Sequence, residues 1–160
     1  MNNLLQNSER SLSEQENTKI HTAQSGAGRP IGLRAMQTIA VERDANPGGS
    51  MFGGWVLAQM DMAGAAHAFG IAHQRIVTVS ADKIRFHRPL IIGQEVELYT
   101  KTTHIGNSSI AVNVNVWHVK YNAENKEFFN IAEGIFTFVA LDHDGRPDKT
   151  LRSRIDGAGE

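Results

Sequence analysis

The amino-acid sequence predicts an α+β domain in which an antiparallel β-sheet wraps one long helix, and three observations carry that prediction. Residues 53–73 form an apolar, small-residue run that contains one acidic side chain, Asp61. A segment apolar on nearly all sides belongs inside a protein rather than on its surface. One stretch of strand-like sequence precedes this run and four follow it. In one of them Ile110, Val112, Val114 and Val116 alternate with Ala111, Asn113, Asn115 and Trp117. That period of two marks a strand with one buried face. A strand, a buried helix and four strands in succession define the class.

Taken in order, residues 1–30 are polar and read as a flexible tail. Residues 34–41 form the first strand, with Ala35, Gln37, Ile39 and Val41 on one side. Residues 42–50 are a loop punctuated by Asn46-Pro47-Gly48-Gly49. The helix follows over about residues 53–73. Further strands are expected at 75–88, 95–104, 109–121 and 128–141, with a hairpin signal at Gly106-Asn107. The last strand is apolar on both faces around Ile135–Val139, as an interior strand should be, and Asp142–Gly145 turns the chain. Residues 148–160 are again polar and read as a C-terminal tail, which leaves one domain over 31–147.

Composition excludes several classes of function. The net charge of -1 over 160 residues offers no global field for nucleic acid or an anionic membrane. Cysteine is absent, which removes disulfides, thiolate metal sites and a cysteine nucleophile. Seven histidines are present, but His67 and His73 are six residues apart and lack the short paired spacing of a zinc helix. No metal and no cofactor is therefore expected. No apolar run is long enough to span a bilayer without a charged or strongly polar interruption, and the start lacks the pattern of a secretory signal. The expectation is a soluble cytoplasmic protein.

Asp61 is the most informative residue. On a helix its neighbours at three and four positions are Leu57, Ala58, Gly64 and Ala65, none of which pairs with a carboxylate. Burying an unpaired carboxylate costs several kcal/mol unless partners come from elsewhere. Asp61 therefore either pairs across the fold or performs chemistry.

The ordered set Asp44-Ala-Asn46-Pro-Gly-Gly-Ser-Met-Phe52-Gly-Gly-Trp55, Gln59-Met-Asp61, Phe86-His-Arg-Pro89, Gly106-Asn-Ser-Ser109 and Phe136-Thr-Phe-Val-Ala140 resembles the hotdog-fold acyl-CoA thioesterases of the YciA and brain acyl-CoA hydrolase type. The resemblance spans roughly residues 31–147. It implies a hotdog fold, hydrolysis of acyl-CoA thioesters without metal or cofactor, and a catalytic pair that maps to Asn46 and Asp61. Asp61 would act as general base or as nucleophile, and Asn46 would orient water. Gly53 and Gly54 are the candidates for oxyanion donors, because the first amides of a helix lack intrahelical partners. The alternative is that the two glycines merely let the loop enter the helix. Arg88, Asn107, Ser108 and Ser109 are the candidates for binding coenzyme A.

Spacing adds one inference. Asp61 follows Gly54 by seven residues, on the order of 10 Å along a helix axis. One carbonyl carbon cannot lie within reach of both, so the site is expected to be shared between chains of a homodimer or an assembly of dimers such as a hexamer. Two rival functions remain, a hydroxyacyl-thioester dehydratase and a non-catalytic acyl-CoA-binding domain. The first would need a histidine near the helix start, where this chain has Asn46. The second would have little reason to keep Asp61.

Overall fold

The computed structural model describes residues 28–157, so the expected N-terminal tail lies outside the described residues except for Gly28–Pro30. The elements run β1 (Leu33–Ile39), a 3-10 turn (Glu42–Asp44), α1 (Gly53–Ala72), β2 (Ile76–Phe86), β3 (Glu95–Ile105), β4 (Ser109–Tyr121), β5 (Lys126–Ala140) and α2 (Leu151–Gly157). All pairings are antiparallel, in the order β1-β3-β4-β5-β2. β5 is flanked on both sides, which explains why its sequence is apolar on both faces.

The core lies between α1 and the concave face of the sheet. Val112, Val114 and Val116 of β4 point into it, beside Leu98 of β3 and Phe136 and Phe138 of β5, all buried. The small residues of α1 let the helix press close to this surface. A Cβ on Gly64 would stand 2.9 Å from the Phe138 ring and 3.3 Å from Val114, so only glycine fits there. His67 then ties the helix to β3. Its Nδ1 lies 2.9 Å from Thr100 Oγ1 and its Nε2 lies 2.8 Å from Thr102 Oγ1. Burial holds the His67 pKa below its ordinary value.

The helix is not enclosed on every side, as its composition led us to expect. Val56, Met60, Ala63, Gly64, Ala68 and Ala72 are buried, whereas Met62 and Phe69 on another side are about half exposed. Five strands cover one face of a helix and leave the opposite one open. Strand β2 borders this open side. It pairs with β5 along one edge, and its Val77, Val79 and Phe86 are exposed.

The C-terminal stretch also departs from expectation. Instead of a frayed tail, residues 151–157 form α2, with Leu151 fully buried and Ile155 packed against the core. Leu151 and Ile155 are four residues apart, so one face of a short helix carries both. On the outer face of the sheet Glu97 is fully buried. Burial opposes its charge, but donors from Tyr99 at 2.6 Å and Arg34 at 2.9 Å prevail and hold its pKa below the usual value. The same network pushes the Tyr99 pKa up to about 12, chiefly through burial and its bond to Glu97.

Candidate active site

Asp61 lies at the boundary between the buried and open sides of α1, half-buried rather than fully dry. The difference follows from the open face of the helix, since no element of the same chain covers it there. Its carboxylate has found a partner that spacing did not suggest. The Thr78 hydroxyl of β2 donates to Asp61 Oδ1 at 2.7 Å. This bond fixes the carboxylate against the edge strand. Thr78 was missed in the sequence because a threonine in a β-branched run looks like ordinary strand material.

The start of α1 is chemically bare. Phe52 occupies the N-cap position with no side-chain capping bond, and the first turn holds no acidic residue. Among the described residues, nothing accepts a hydrogen bond from the amides of Gly53 or Gly54. These two glycines differ. A Cβ on Gly53 would touch the Phe86 ring at 3.4 Å, whereas one on Gly54 would meet nothing within 4 Å. Gly54 therefore presents the open donor, and Gly53 is also the seat of an aromatic ring.

Asn46 is held by its own loop. Its Oδ1 accepts from the amides of Gly48 at 2.8 Å and Ser50 at 3.3 Å, and its Nδ2 donates to Ser50 Oγ at 2.9 Å. These bonds close the turn and fix the side chain, leaving one Nδ2 hydrogen available. A bond from the Met51 amide to Leu90 O at 2.8 Å anchors the loop to the segment after β2.

The four residues expected to hold coenzyme A do not meet within one chain. The Arg88 amide bonds to Ile131 O, and its guanidinium lies 5.4 Å from the centre of the Phe129 ring. The Asn107–Ser109 turn sits at the other end of β5, where Ser108 O accepts from the Ala140 amide. Residues 131 and 140 of one strand are on the order of 30 Å apart. Beside that turn the Arg152 amide donates to Asn107 O at 3.4 Å, and across β5 from it lies Arg75, whose carbonyl accepts from the Leu141 amide at 2.9 Å. Among the described residues no group of three or more His, Cys, Asp or Glu side chains could hold a metal ion. No described helix is long and apolar enough to cross a membrane.

Similarity to known proteins agrees with this architecture. The Thioesterase superfamily matches residues 48–121. An uncharacterized acyl-CoA thioester hydrolase of Buchnera aphidicola is 41% identical over 127 residues, covering 79% of this chain and 94% of that protein. The acyl-CoA thioester hydrolase YciA of Salmonella typhimurium is 39% identical over 119 residues, covering 74% and 90%. In three dimensions the fold matches a hexameric thioesterase from Yersinia pestis with a TM-score of 0.69 at 38% identity, covering 74% of this chain and 96% of that one. The chain belongs to the hotdog-fold thioesterase superfamily, among its YciA-type acyl-CoA thioester hydrolases.

Proposed function

We propose that the protein hydrolyses acyl-CoA thioesters at a site completed by a second copy of the chain. Asp61 serves as general base for a water or as the nucleophile. Asn46 uses its remaining amide hydrogen to orient the water or substrate, and the Gly54 amide at the bare helix start stabilises the oxyanion, with Gly53 beside it. Thr78 is a positioning residue that holds the Asp61 carboxylate.

The observation that carries the proposal is the open side of α1. Asp61 lies at its border, Met62 and Phe69 are exposed on it, and the unpaired edge of β2 borders it. An exposed apolar face beside an unpaired strand edge is a surface for association. Because Asp61 and Gly54 of one chain are roughly 10 Å apart along the helix, each needs a counterpart from elsewhere. An antiparallel pairing of β2 with its copy, centred near residues 81–82, sets Asp61 of one protomer opposite Gly54 of the partner subunit. The same operation carries Arg88 of one protomer toward the Arg75 end of the other. The ends that one chain separates are thereby reunited around one coenzyme A, with Asn107, Ser108 and Ser109 beside its phosphates. Larger assemblies of such dimers fit the hexameric state of the Yersinia relative.

The test is release of free thiol from a panel of acyl-CoAs by the wild type and by Asp61→Ala. The proposal expects hydrolysis by the wild type and a loss of about 100- to 10,000-fold in the variant. No thiol release with any chain would contradict it, and hydration of an enoyl-CoA would favour a dehydratase instead.

A further inference from the structure

The buried face of α1 changes character along its length. Val56 and Met60 are large, but beyond them the buried positions are Ala63, Gly64, Ala68 and Ala72. Such small apolar residues hold the helix on the sheet without direction, because the gain follows the area buried and changes little with a slide of about 1 Å. Among the described residues, the side chains of α1 that make hydrogen bonds are Asp61 and His67. Asp61 is held by Thr78 of β2, whereas the His67 ring is bonded at both nitrogens to β3. Those bonds identify which nitrogen carries the proton. Thr100 has one hydroxyl hydrogen and donates it to Leu33 O at 3.2 Å. Its oxygen therefore accepts from His67, and Nδ1, 2.9 Å away, is the protonated nitrogen. Burial keeps the ring neutral at pH 7, which leaves Nε2 bare to accept from the Thr102 hydroxyl at 2.8 Å. Thr100 is itself buried, and its bond to Leu33 carries the attachment on to β1.

We infer that His67 is a positioning residue for the reaction: its two bonds fix α1 at one place along the sheet and so set where Asp61 and the helix start stand. The inference rests on the shared-site hydrolase reading above and adds a residue that touches neither substrate nor the reacting groups. Hydrogen bonds weaken steeply once distance and angle are lost, so two of them on one ring resist the slide that the alanine and glycine face allows. A buried polar contact of this kind selects one register among apolar alternatives. Asp61 lies six residues from His67, roughly 9 Å along a stiff helix, and any slide at one is carried to the other. The same slide moves Gly54 by an equal amount. Under the two-fold that pairs β2 with its copy, the two α1 helices run in opposite directions. A slide of each helix therefore changes the separation of Asp61 and the partner subunit's Gly54 by twice that amount along the axis. A misplacement of about 1 Å is enough to cost on the order of 100-fold in rate.

The test compares kcat, KM and thermal unfolding of the full-length wild type, His67→Leu and His67→Gln with one acyl-CoA. Leucine fills the space without either bond, and kcat falls about 10- to 100-fold while KM changes by less than about threefold. Glutamine offers one donor and one acceptor from the same position, and it restores kcat to within about fivefold of the wild type. Thr102→Val removes one of the two bonds and gives a smaller loss, which adds nothing when combined with His67→Leu. A nitrogen spectrum of histidine-labelled protein at pH 7, recorded without substrate, shows the ring missing from His67→Gln as protonated at Nδ1 and bare at Nε2. A folded His67→Leu with wild-type kcat would overturn the inference, as would a ring protonated at Nε2. Equal losses in the leucine and glutamine variants would also overturn it, because the imidazole itself and not its two bonds would then matter. Should His67→Leu fail to fold, Thr102→Val decides, and an unchanged kcat there is the contrary result. A wild type that hydrolyses no acyl-CoA would overturn the hydrolase reading and the positioning role together, whereas the spectrum tests the bonding of the ring apart from any activity.

Discussion

The two ends of α1 are finished in opposite ways. At its C-terminus His73 adopts a left-handed conformation and its amide caps Phe69 O at 2.9 Å. Arg154 of α2 then reaches Ala72 O at 3.5 Å and Gln74 Oε1 at 2.8 Å, while Leu151 seals the core below. A cation at a helix C-terminus also complements the partial negative charge there. Asp148 ties this end together, bonded to Thr150, Gln74 and Arg154, and these bonds hold its pKa far below the usual carboxylate range. At the N-terminus there is no capping side chain, no acidic residue and a pair of glycines. One end is closed with protein groups. The other is left with its positive partial charge and amides directed at what arrives from outside, and Asp61 borders the open side of the helix.

If that contrast divides function from stability, substitutions on the two sides should separate activity from folding. The largest effect is expected at Asp61, where Asp61→Asn lowers kcat by about 100- to 10,000-fold with an unchanged melting temperature. At the closed end, Leu151→Ala is expected to cost about 2–5 kcal/mol in denaturant unfolding while kcat at low temperature stays near wild type. A large loss of kcat in folded Leu151→Ala would break the division. Gly54→Ala crowds the open donor and should reduce kcat by on the order of 10- to 100-fold through displacement of the substrate carbonyl. Thr78→Val removes one charge-assisted hydrogen bond to the Asp61 carboxylate, and a loss of about tenfold in kcat with little change in KM is the expected result.

The smallest effect concerns pH. His67 has a folded pKa below its unfolded value of 6.5. Between the two values the unfolded chain binds the extra proton, so stability is present above pH 6.5 and declines as pH falls toward the folded pKa. Thermal unfolding of wild type and His67→Gln over that window should show the decline in the wild type and a flatter profile in the variant.

Much of this architecture was legible in the sequence, for identifiable reasons. The alternation in 109–121 could belong only to a half-buried strand, and the glycine pair before an apolar run marked where the helix begins. Asp61 stood out because nothing at helical spacing could pair with it. Other features left weaker traces. Thr78 is seventeen residues from the carboxylate it holds and resembles any strand threonine. The open face of α1 is built from alanine, glycine, methionine and phenylalanine, much like the buried one, so polarity does not show which side the sheet covers. Helix α2 is seven residues long, and among arginines and serines only Leu151 and Ile155 hinted at it. Arg88 and Asn107–Ser109 looked like parts of one site because the antiparallel path that sends them to opposite ends of β5 is a property of topology, not of residue type.

The central claim is that neither chain holds a complete site, and mixing two inactive proteins tests it most directly. Asn46→Ala and Asp61→Ala, each inactive alone, are combined under conditions where labelled subunits demonstrably exchange, and thiol release from an acyl-CoA is followed. The account expects activity to return to about a quarter of the wild-type level per site, since random pairing restores one intact site in half of the dimers. Exchange without any recovery of activity would contradict it.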